Sequence, residues 1–194
     1  MNETEFKFFN AEATLLGGQS FHFDKVGEYF YGFTQSQIIK LKYEAPILYW
    51  QTYNLEGSKT NNQKYINHLF RLDDTFEKKL IELKQDRYVR EAIKAYPNLR
   101  VLNQDFDQTL LSFIISANNN ITSIRKSVRK LAKKFGKQIK VDGKEFYLFP
   151  ETERLASAKL QDLLTCSLGF RAKYVKAAAQ EISKANYEAD LRKL

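Results

Sequence analysis

The sequence predicts an α+β protein in which an N-terminal antiparallel β-sheet is followed by helices. Residues 20–54 alternate in the manner of strands, whereas residues from about 63 onward repeat mainly at helical spacing. The 194 residues are 43% hydrophobic, which is ample for a real core. We divide the chain into an N-terminal β domain with helices at 1–97 and a helical part at 98–194, because Pro97 and Asn98 end a helical run.

Four runs rich in aromatic and β-branched residues predict a sheet of four or five strands. Short turns at Val26–Gly27, Thr34–Gln35 and Ala45–Pro46 separate these runs. The runs are SFHFD (20–24), EYFYGF (28–33), SQIIKLKYE (36–44) and PILYWQTYN (46–54).

Helical periodicity follows the polar break LEGSKTNNQ and begins near Gln63. The segments DDTFEKKLIEL (73–83) and DRYVREAIKAY (86–96) continue it. The next segment, DFDQTLLSFIISA (105–117), is apolar on nearly every side from Leu110 to Ala117. We therefore expect that helix to lie inside the core.

The segment 121–135 predicts an amphipathic helix. Its apolar residues recur every three or four positions, and basic residues fill the opposite face, so one face is expected to pack and the other to be presented. The apolar positions are Ile121, Ile124, Val128, Leu131, Ala132 and Phe135.

Gly136 is expected to stop this helix, and the Asp-Gly turn in KQIKVDGKEFYLF (137–149) predicts a hairpin. Helices are expected again in KLQDLLT (159–165) and RAKYVKAAAQEIS (171–183). Near the end of the chain, Asn186 as a cap and Leu191 with Leu194 as the start of an apolar face predict a helix that continues further.

The net charge of +8 is concentrated in one segment. Residues 121–140 contain eight basic residues and no acid, and removing them leaves 23 basic residues against 23 acidic ones. A protein that is neutral apart from one positive stripe indicates a polyanionic partner. The alternative is that the stripe is only the solvated face of a helix. The eight residues are Arg125, Lys126, Arg129, Lys130, Lys133, Lys134, Lys137 and Lys140.

Several other classes of protein are disfavoured. Cys166 is the only cysteine, and the two histidines, His22 and His68, are far apart, so we expect no disulfide, metal site or other cofactor. No stretch is apolar enough to span a membrane, and the N-terminus lacks a signal-peptide pattern. We therefore expect a cytoplasmic protein that acts without a membrane.

Three asparagines, Asn118 to Asn120, stand between the apolar helix and the basic one. Asparagine tolerates left-handed backbone and caps helix starts, so these residues could serve only as a connector. Their position beside the basic stripe also allows a role at a binding surface.

The chain resembles the 8-oxoguanine DNA glycosylase family of the helix-hairpin-helix superfamily. The matching stretches are GGQSFHF (17–23), YPNLRVLNQDFDQTLLSFIISANNNI (96–121) and LGFRAKYV (168–175), in the family's order. The resemblance implies a β domain packed on a helical glycosylase domain, of which residues 98–194 would be the first part. It also implies that the partner is double-stranded DNA containing 8-oxoguanine, bound by a monomer in base excision repair.

The resemblance gives the asparagines a role in base extrusion. Such an enzyme swings the damaged nucleotide out of the duplex and must fill the gap that remains. By resemblance Asn118 is that plug, while Asn119 and Asn120 contact the DNA from the turn that they shape and cap. The alternative is that all three only shape and cap the turn.

The other site residues are also carried over by resemblance. Phe170 resembles the aromatic wedge beside the orphan base, and Arg171 the guanidinium that bonds an orphan cytosine. The alternative is a core-packed aromatic and an arginine that caps a carbonyl. Gly18 resembles the glycine whose carbonyl accepts the N7 hydrogen of 8-oxoguanine, although Gly17 and Gly18 could simply form a turn. The residues of the stripe expected on DNA phosphates are Arg125, Arg129, Lys130 and Lys133.

Some residues depart from the family's pattern. His22 and Phe23 replace the arginine and tryptophan of eukaryotic members, Phe170 replaces tyrosine, and Ser123 replaces a second arginine that contacts the orphan base. The catalytic lysine, its helping aspartate and the hairpin are expected after Leu194. We therefore predict no catalytic residue within this sequence, and a chain that grips DNA without cutting it.

Two other functions remain open at this stage. The first is a non-catalytic module that binds duplex DNA or recognises damage. The second is a single-stranded nucleic-acid binder that stacks bases on the aromatic strand EYFYGF, which leaves the Asn turn without a role.

Overall fold

The computed structural model describes residues 1–72, 75–184, 187–191 and 193. Its main sheet has six antiparallel strands in the order β1-β5-β4-β3-β2, with β6 also paired to β5. Strands β1 to β6 span Asn2–Glu5, Phe23–Val26, Tyr29–Phe33, Ile38–Glu44, Ile47–Tyr53 and Lys59–Thr60. A separate hairpin consists of β7 (Gln138–Val141) and β8 (Lys144–Tyr147).

The helices follow one another along the rest of the chain, and a 3₁₀ turn at Gly169–Arg171 leads into α9. Helices α1 to α10 span Ala11–Leu16, Gln63–Phe70, Phe76–Leu83, Arg87–Ala95, Phe106–Ser116, Ile121–Phe135, Thr152–Ser157, Leu160–Leu164, Ala172–Ile182 and Tyr187–Leu191. The predicted α+β class is confirmed. None of these helices, within the described residues, is long and apolar enough to cross a membrane.

The sheet is buried on both faces. Successive side chains of a strand point to opposite sides, so β3, β4 and β5 each contribute to two hydrophobic clusters. Phe30 and Trp50 pack with α1 and α2 in one hydrophobic cluster. Tyr31 and Ile38 pack in a second cluster with α5, α6 and α9. The sheet therefore holds the helical part of the chain directly against its second face, and the domain boundary at 97/98 stays a prediction.

The sheet has six strands rather than the predicted four or five, and one predicted strand begins later than expected. The first predicted strand begins at Phe23 rather than Ser20. The strands β1 and β6 were not predicted, because the sequence of β1, NETE, is polar and β6 has two residues. Both are defined by pairing to the edge of β5, which is a tertiary property that local pattern does not carry.

The predicted hairpin at 137–149 is confirmed, with Asp142 and Gly143 both at positive φ in its turn. The Asp142 carboxylate accepts hydrogen bonds from Lys40 Nζ at 2.6 Å and Tyr53 Oη at 3.2 Å. The hydrogen bond from Lys40 is the main cause that lowers the pKa of Asp142. These bonds fasten the hairpin to the sheet.

Two expectations about helix burial are wrong in part. Phe113 of α5 was placed in the core but is 73% exposed, and Ile121 of α6 was placed on the packed face but is 46% exposed. Leu111 and Ile115, on the opposite side of α5, are fully buried. The apolar residues of α5 therefore lie on two sides of the helix, one packed in the core and one exposed. Asn186 and Leu194 lie outside the described residues.

Candidate nucleic-acid interface

The turn between α5 and α6 is built by its three asparagines. Asn118 adopts a left-handed conformation with φ of 48°, which asparagine tolerates better than most residues. Asn119 Nδ2 donates to the carbonyl of Ile115 at 3.1 Å. Asn120 is the N-cap of α6, and its Oδ1 accepts from the backbone N–H of Ser123 at 2.9 Å. The predicted shaping and capping roles of Asn119 and Asn120 are thus observed.

Asn118 differs from its two neighbours. Its side chain is exposed and makes no hydrogen bond to another described residue, whereas its main-chain carbonyl is engaged. The amide therefore keeps both its donor and its acceptor for a partner at the surface.

The 3₁₀ turn that contains Phe170 and Arg171 meets the asparagine turn. Arg171 donates from Nε to the carbonyl of Ala117 and from Nη2 to the carbonyl of Asn118, each at 2.7 Å. Its guanidinium carbon lies 4.4 Å from the centre of the Phe170 ring, which is 58% exposed. The arginine therefore does cap carbonyls, but the aromatic ring is presented to solvent rather than packed in the core.

Gly18 lies on the other side of the Asn turn and is required to be glycine. Its φ of 101° belongs to the region that side chains rarely adopt, and a Cβ there would lie 2.9 Å from Ile121 Cδ1. Arg125 Nη2 donates to the carbonyl of Leu16 at 2.9 Å, which braces the glycine loop against α6. The loop that carries Gly18 thus rests on the first turns of the basic helix.

A cleft of about 850 Å³ opens between the Gly18 loop, α5 and the start of α6. The residues that line it include Gly18, Ser112, Phe113, Asn119, Asn120 and Ile121. Its volume is in the range of small-molecule sites. The two apolar side chains expected in the core, Phe113 and Ile121, are instead walls of this cleft. Sequence reasoning missed both, because an exposed apolar wall and a core position have the same residue types.

The wall of the cleft continues into a buried polar pair. Ser112 Oγ lies 3.0 Å from His22 Nε2, and both residues are almost completely buried. Burial lowers the pKa of His22 to about 3, so the imidazole is neutral at pH 7. The sequence pattern marked His22 only as a departure from the family.

The basic stripe is divided between structural and free cations. Arg129 forms an ion pair with Asp24, and Lys130 Nζ donates to Ser167 Oγ at 2.8 Å. Lys134 Nζ lies 2.8 Å from Asp162 Oδ1, and this hydrogen bond is the main cause that lowers the pKa of Asp162. Burial lowers the pKa of Arg125 and of Arg129. The expectation that the basic face is presented therefore holds for its exposed lysines but is wrong in part for Arg125 and Arg129, which are half-buried.

The lysines that remain fully available lie along one side of α6 and just after it. The side chains of Lys126, Lys133, Lys137 and Lys140 are exposed and make no hydrogen bond or ion pair within the described part of the chain. Lys130 and Lys134 hold the segment 162–167, which leads into the loop of Phe170 and Arg171. The basic stripe therefore stabilises the segment before this loop and also presents exposed positive charges at the surface.

The hypothesis of a single-stranded nucleic-acid binder loses support. Phe30, Tyr31 and Phe33 of the strand EYFYGF are buried, so this strand offers no stacking platform for single-stranded nucleic acid. Across the described residues, no group of three or more His, Cys, Asp or Glu side chains is placed to hold a metal ion.

Residues 111–192 match the family model described as HhH-GPD superfamily base excision DNA repair protein, which gives the class of the helical part. Residues 1–110 match the model described as 8-oxoguanine DNA glycosylase, N-terminal domain. This second match covers more than half of the chain. The chain belongs to the 8-oxoguanine DNA glycosylase family.

Individual relatives agree with this assignment. The N-glycosylase/DNA lyase of Saccharomyces cerevisiae is 35% identical over 150 residues, which are 71% of this chain and 36% of the yeast protein. The structure of MBOgg1 in complex with a low-affinity DNA ligand has a TM-score of 0.83 and 30% identity, over 93% of this chain and 62% of that one.

A bacterial enzyme has also been solved with a lesion. The Clostridium acetobutylicum 8-oxoguanine glycosylase/lyase, in complex with double-stranded DNA containing cytosine opposite 8-oxoG, has a TM-score of 0.81 and 27% identity. The match covers 91% of this chain and 60% of the bacterial one. The chain thus spans about a third of the length of the yeast relative and somewhat under two thirds of these solved proteins.

Proposed function

We propose that this chain is the DNA-gripping and base-extruding part of an 8-oxoguanine DNA N-glycosylase/AP lyase of base excision repair. The observation that carries the proposal is the pair of hydrogen bonds from Arg171 to the carbonyls of Ala117 and Asn118. These bonds join two loops that are 53 residues apart in sequence, beside a cleft of about 850 Å³.

The cleft, Asn118 and Phe170 suit three separate requirements of base extrusion. A base that leaves the stack needs a pocket, and the cleft has walls from Phe113 and Ile121 that can contact a planar ring. The gap left in the duplex needs a polar plug, and Asn118 has a free amide at the surface. The bases beside the gap need a wedge, and Phe170 presents an exposed ring.

Arg171 can donate hydrogen bonds to the orphan base while it stays bonded to the asparagine turn. A guanidinium has five N–H donors, and only two are used on Ala117 and Asn118. The remaining donors can reach acceptors on the cytosine edge. Gly18 is proposed to read the lesion through its carbonyl, as the family resemblance implies, and it is one of the residues that line the cleft.

The backbone of the duplex would be held by cations around this site. Lys126, Lys133 and Lys137 are exposed and free among the described residues, and they are proposed to contact phosphates. Lys130 can do so in addition to its bond with Ser167. Arg125 and Arg129 are proposed to contribute mainly by bracing the Gly18 loop and β2, through Leu16 and Asp24.

One observation favours a second candidate, a non-catalytic module that binds damaged duplex DNA. The described residues that line the cleft include no lysine and no carboxylate, so they offer no amine nucleophile and no anion beside it. The relatives' names include lyase activity, which in this family class proceeds through an amine and a Schiff base. The gripping function is common to both candidates.

The proposal is tested by fluorescence anisotropy on matched duplexes that contain 8-oxoguanine, guanine or an abasic site opposite cytosine. We expect the abasic and 8-oxoguanine duplexes to bind more tightly than the undamaged one, because an abasic site has no base to extrude and a damaged base is the one that the cleft is proposed to hold. Equal affinity for all three duplexes would contradict a role in extrusion and leave only phosphate binding.

A further inference from the structure

A small cavity lies next to the cleft, on the far side of the Ser112–His22 pair. It has a volume of about 20 Å³, and its lining combines apolar side chains, among them Phe33 and Leu69, with polar ones that include His22 and Gln108. Gln104 lines both the cavity and the cleft. A polar cavity needs roughly 10 to 15 Å³ to hold one water molecule, so this volume accepts one and not two.

Two buried polar atoms belong to residues that line this cavity. His22 Nδ1 and Gln108 Oε1 are shielded from solvent and have no hydrogen-bond partner among the described residues. His22 is 3% exposed and Gln108 is 5% exposed. The other side of each group is fixed, since His22 Nε2 meets Ser112 Oγ at 3.0 Å and Gln108 Nε2 donates to the carbonyl of Phe33 at 2.9 Å. Neither side chain can turn away without breaking an existing bond.

We propose that this cavity is a binding site for one ordered water molecule, which bridges His22 Nδ1 and Gln108 Oε1. Buried polar groups almost always find a partner, and buried water commonly supplies two to four hydrogen bonds to such groups. The two atoms form no direct bond, so a bridge satisfies both. Further oxygens that line the cavity, on Ser20 and Asp105, complete the set of partners that a buried water needs.

We assign the hydrogen of the neutral His22 ring to Nδ1, on the side of the bridge. The neutral ring has one N–H, and within the described chain the Ser112 hydroxyl meets His22 Nε2. A hydrogen on Nε2 would leave the Ser112 hydroxyl, which is only 4% exposed, with no acceptor on the described protein residues, whereas a hydrogen on Nδ1 gives it His22 Nε2. With the hydrogen on Nδ1, Ser112 donates to Nε2, Nδ1 donates to the water, and the water donates to Gln108 Oε1. This arrangement uses every one of these donors.

The hydrogen-bond chain reaches the cleft through Ser112, which lines it. Because the Ser112 hydrogen is committed to His22, only the lone pairs of its oxygen are left for the cleft. Ser112 is thereby held as an acceptor, and His22 and the water act as positioning groups. This consequence rests on the proposed function, whereas the water site itself does not.

The site is tested on the DNA-free protein, so its failure would not touch the proposed function. A crystal structure at high resolution is expected to show one water within about 2.6 to 3.2 Å of both His22 Nδ1 and Gln108 Oε1. Nitrogen-15 NMR of the His22 ring is expected to show the hydrogen on Nδ1 at neutral pH. Direct contact between the two side chains, a cavity without density, or a hydrogen on Nε2 would overturn the proposal.

A variant pair gives an independent check. Gln108→Leu removes the oxygen that anchors the water, and we expect the His22 Nδ1–H resonance to shift and to exchange faster with solvent. Thr109→Ala changes the exposed neighbour on the same helix and is expected to leave that resonance unchanged. Equal effects of the two variants, or none for Gln108→Leu, would contradict the bridge. If Gln108→Leu does not fold, the crystal and NMR measurements on the unchanged protein decide alone.

Discussion

Arg171 and Asn118 are joined by a hydrogen bond of 2.7 Å from the guanidinium Nη2 of the first to the main-chain carbonyl of the second. The bond leaves the Asn118 amide free and holds its backbone in the left-handed conformation at φ of 48°. The loop of Phe170 and Arg171 and the asparagine turn are therefore already joined in the DNA-free structure. A preformed unit lowers the cost of ordering its side chains on binding.

Arg171→Ala is expected to weaken binding to an abasic duplex, and most strongly when cytosine lies opposite the gap. The variant removes both the bonds that hold the Asn turn and the free donors that would meet the cytosine edge. Anisotropy with each of the four bases opposite the abasic site measures this. Lys173→Ala, which removes a nearby exposed charge, is the control. A loss that is the same for all four bases would limit Arg171 to a structural role.

The free lysines are expected to carry the salt dependence of binding. The triple variant Lys126→Gln, Lys133→Gln, Lys137→Gln should flatten the plot of log affinity against log salt by roughly 0.9 for each phosphate that the protein no longer neutralises. The control variant Lys7→Gln, Lys64→Gln, Lys94→Gln removes the same charge from elsewhere on the surface. If both variants flatten the slope equally, the stripe is not the DNA surface.

Asn120→Ala is expected to lower the free energy of unfolding by about 1 kcal/mol, the usual effect of losing an N-cap. The side chain accepts from Ser123 N at the start of α6, and alanine cannot replace this acceptor. Asn120→Asp keeps the acceptor and should cost clearly less. Chemical denaturation followed by circular dichroism measures both. Similar losses for alanine and aspartate would show that the cap contributes little.

Borohydride reduction is expected to trap no covalent adduct between this chain and abasic DNA. Trapping needs an amine at the sugar C1′, and the described lining of the cleft contains no lysine. The measurement is a denaturing gel of chain and labelled duplex after reduction. An adduct that disappears when a single lysine is replaced would place a nucleophile in this chain and overturn the expectation.

The sequence predicts the strands and helices that have strong local periodicity. The aromatic strands, the capped amphipathic helix α6 and the Asp142–Gly143 hairpin each follow from residues close together in the chain. The strand β1 does not, because its four polar residues are ordered only by pairing with β5. Pairing between distant segments leaves no periodic signal.

In the candidate site, too, the residues could be predicted from local sequence but their contacts could not. The motifs mark Asn118, Phe170 and Arg171, but not the bond between the last of these and the Asn118 carbonyl. They also count Arg129 as a free cation, whereas its partner, Asp24, lies on β2, 105 residues away. Contacts of this kind depend on the tertiary fold. A motif therefore indicates the residue types, and only the structure shows their partners.

Asn118 is proposed to fill the gap left by an extruded base. Asn118→Gly removes the amide while glycine keeps the left-handed backbone available, so strain at this position does not confuse the result. Binding to undamaged duplex should be nearly unchanged, because it consists mostly of phosphate contacts. Asn118→Ala, which lacks the amide and is strained at positive φ, provides the comparison.

The direct measurement is the anisotropy titration of Asn118→Gly and the unchanged protein on paired undamaged and abasic duplexes. We predict that the variant loses about 1 to 3 kcal/mol of binding free energy on the abasic duplex alone, the scale of an unmade hydrogen bond to a buried partner. Equal weakening on both duplexes, or none on either, with the fold intact by circular dichroism, would show that the three asparagines are only a connector and a cap.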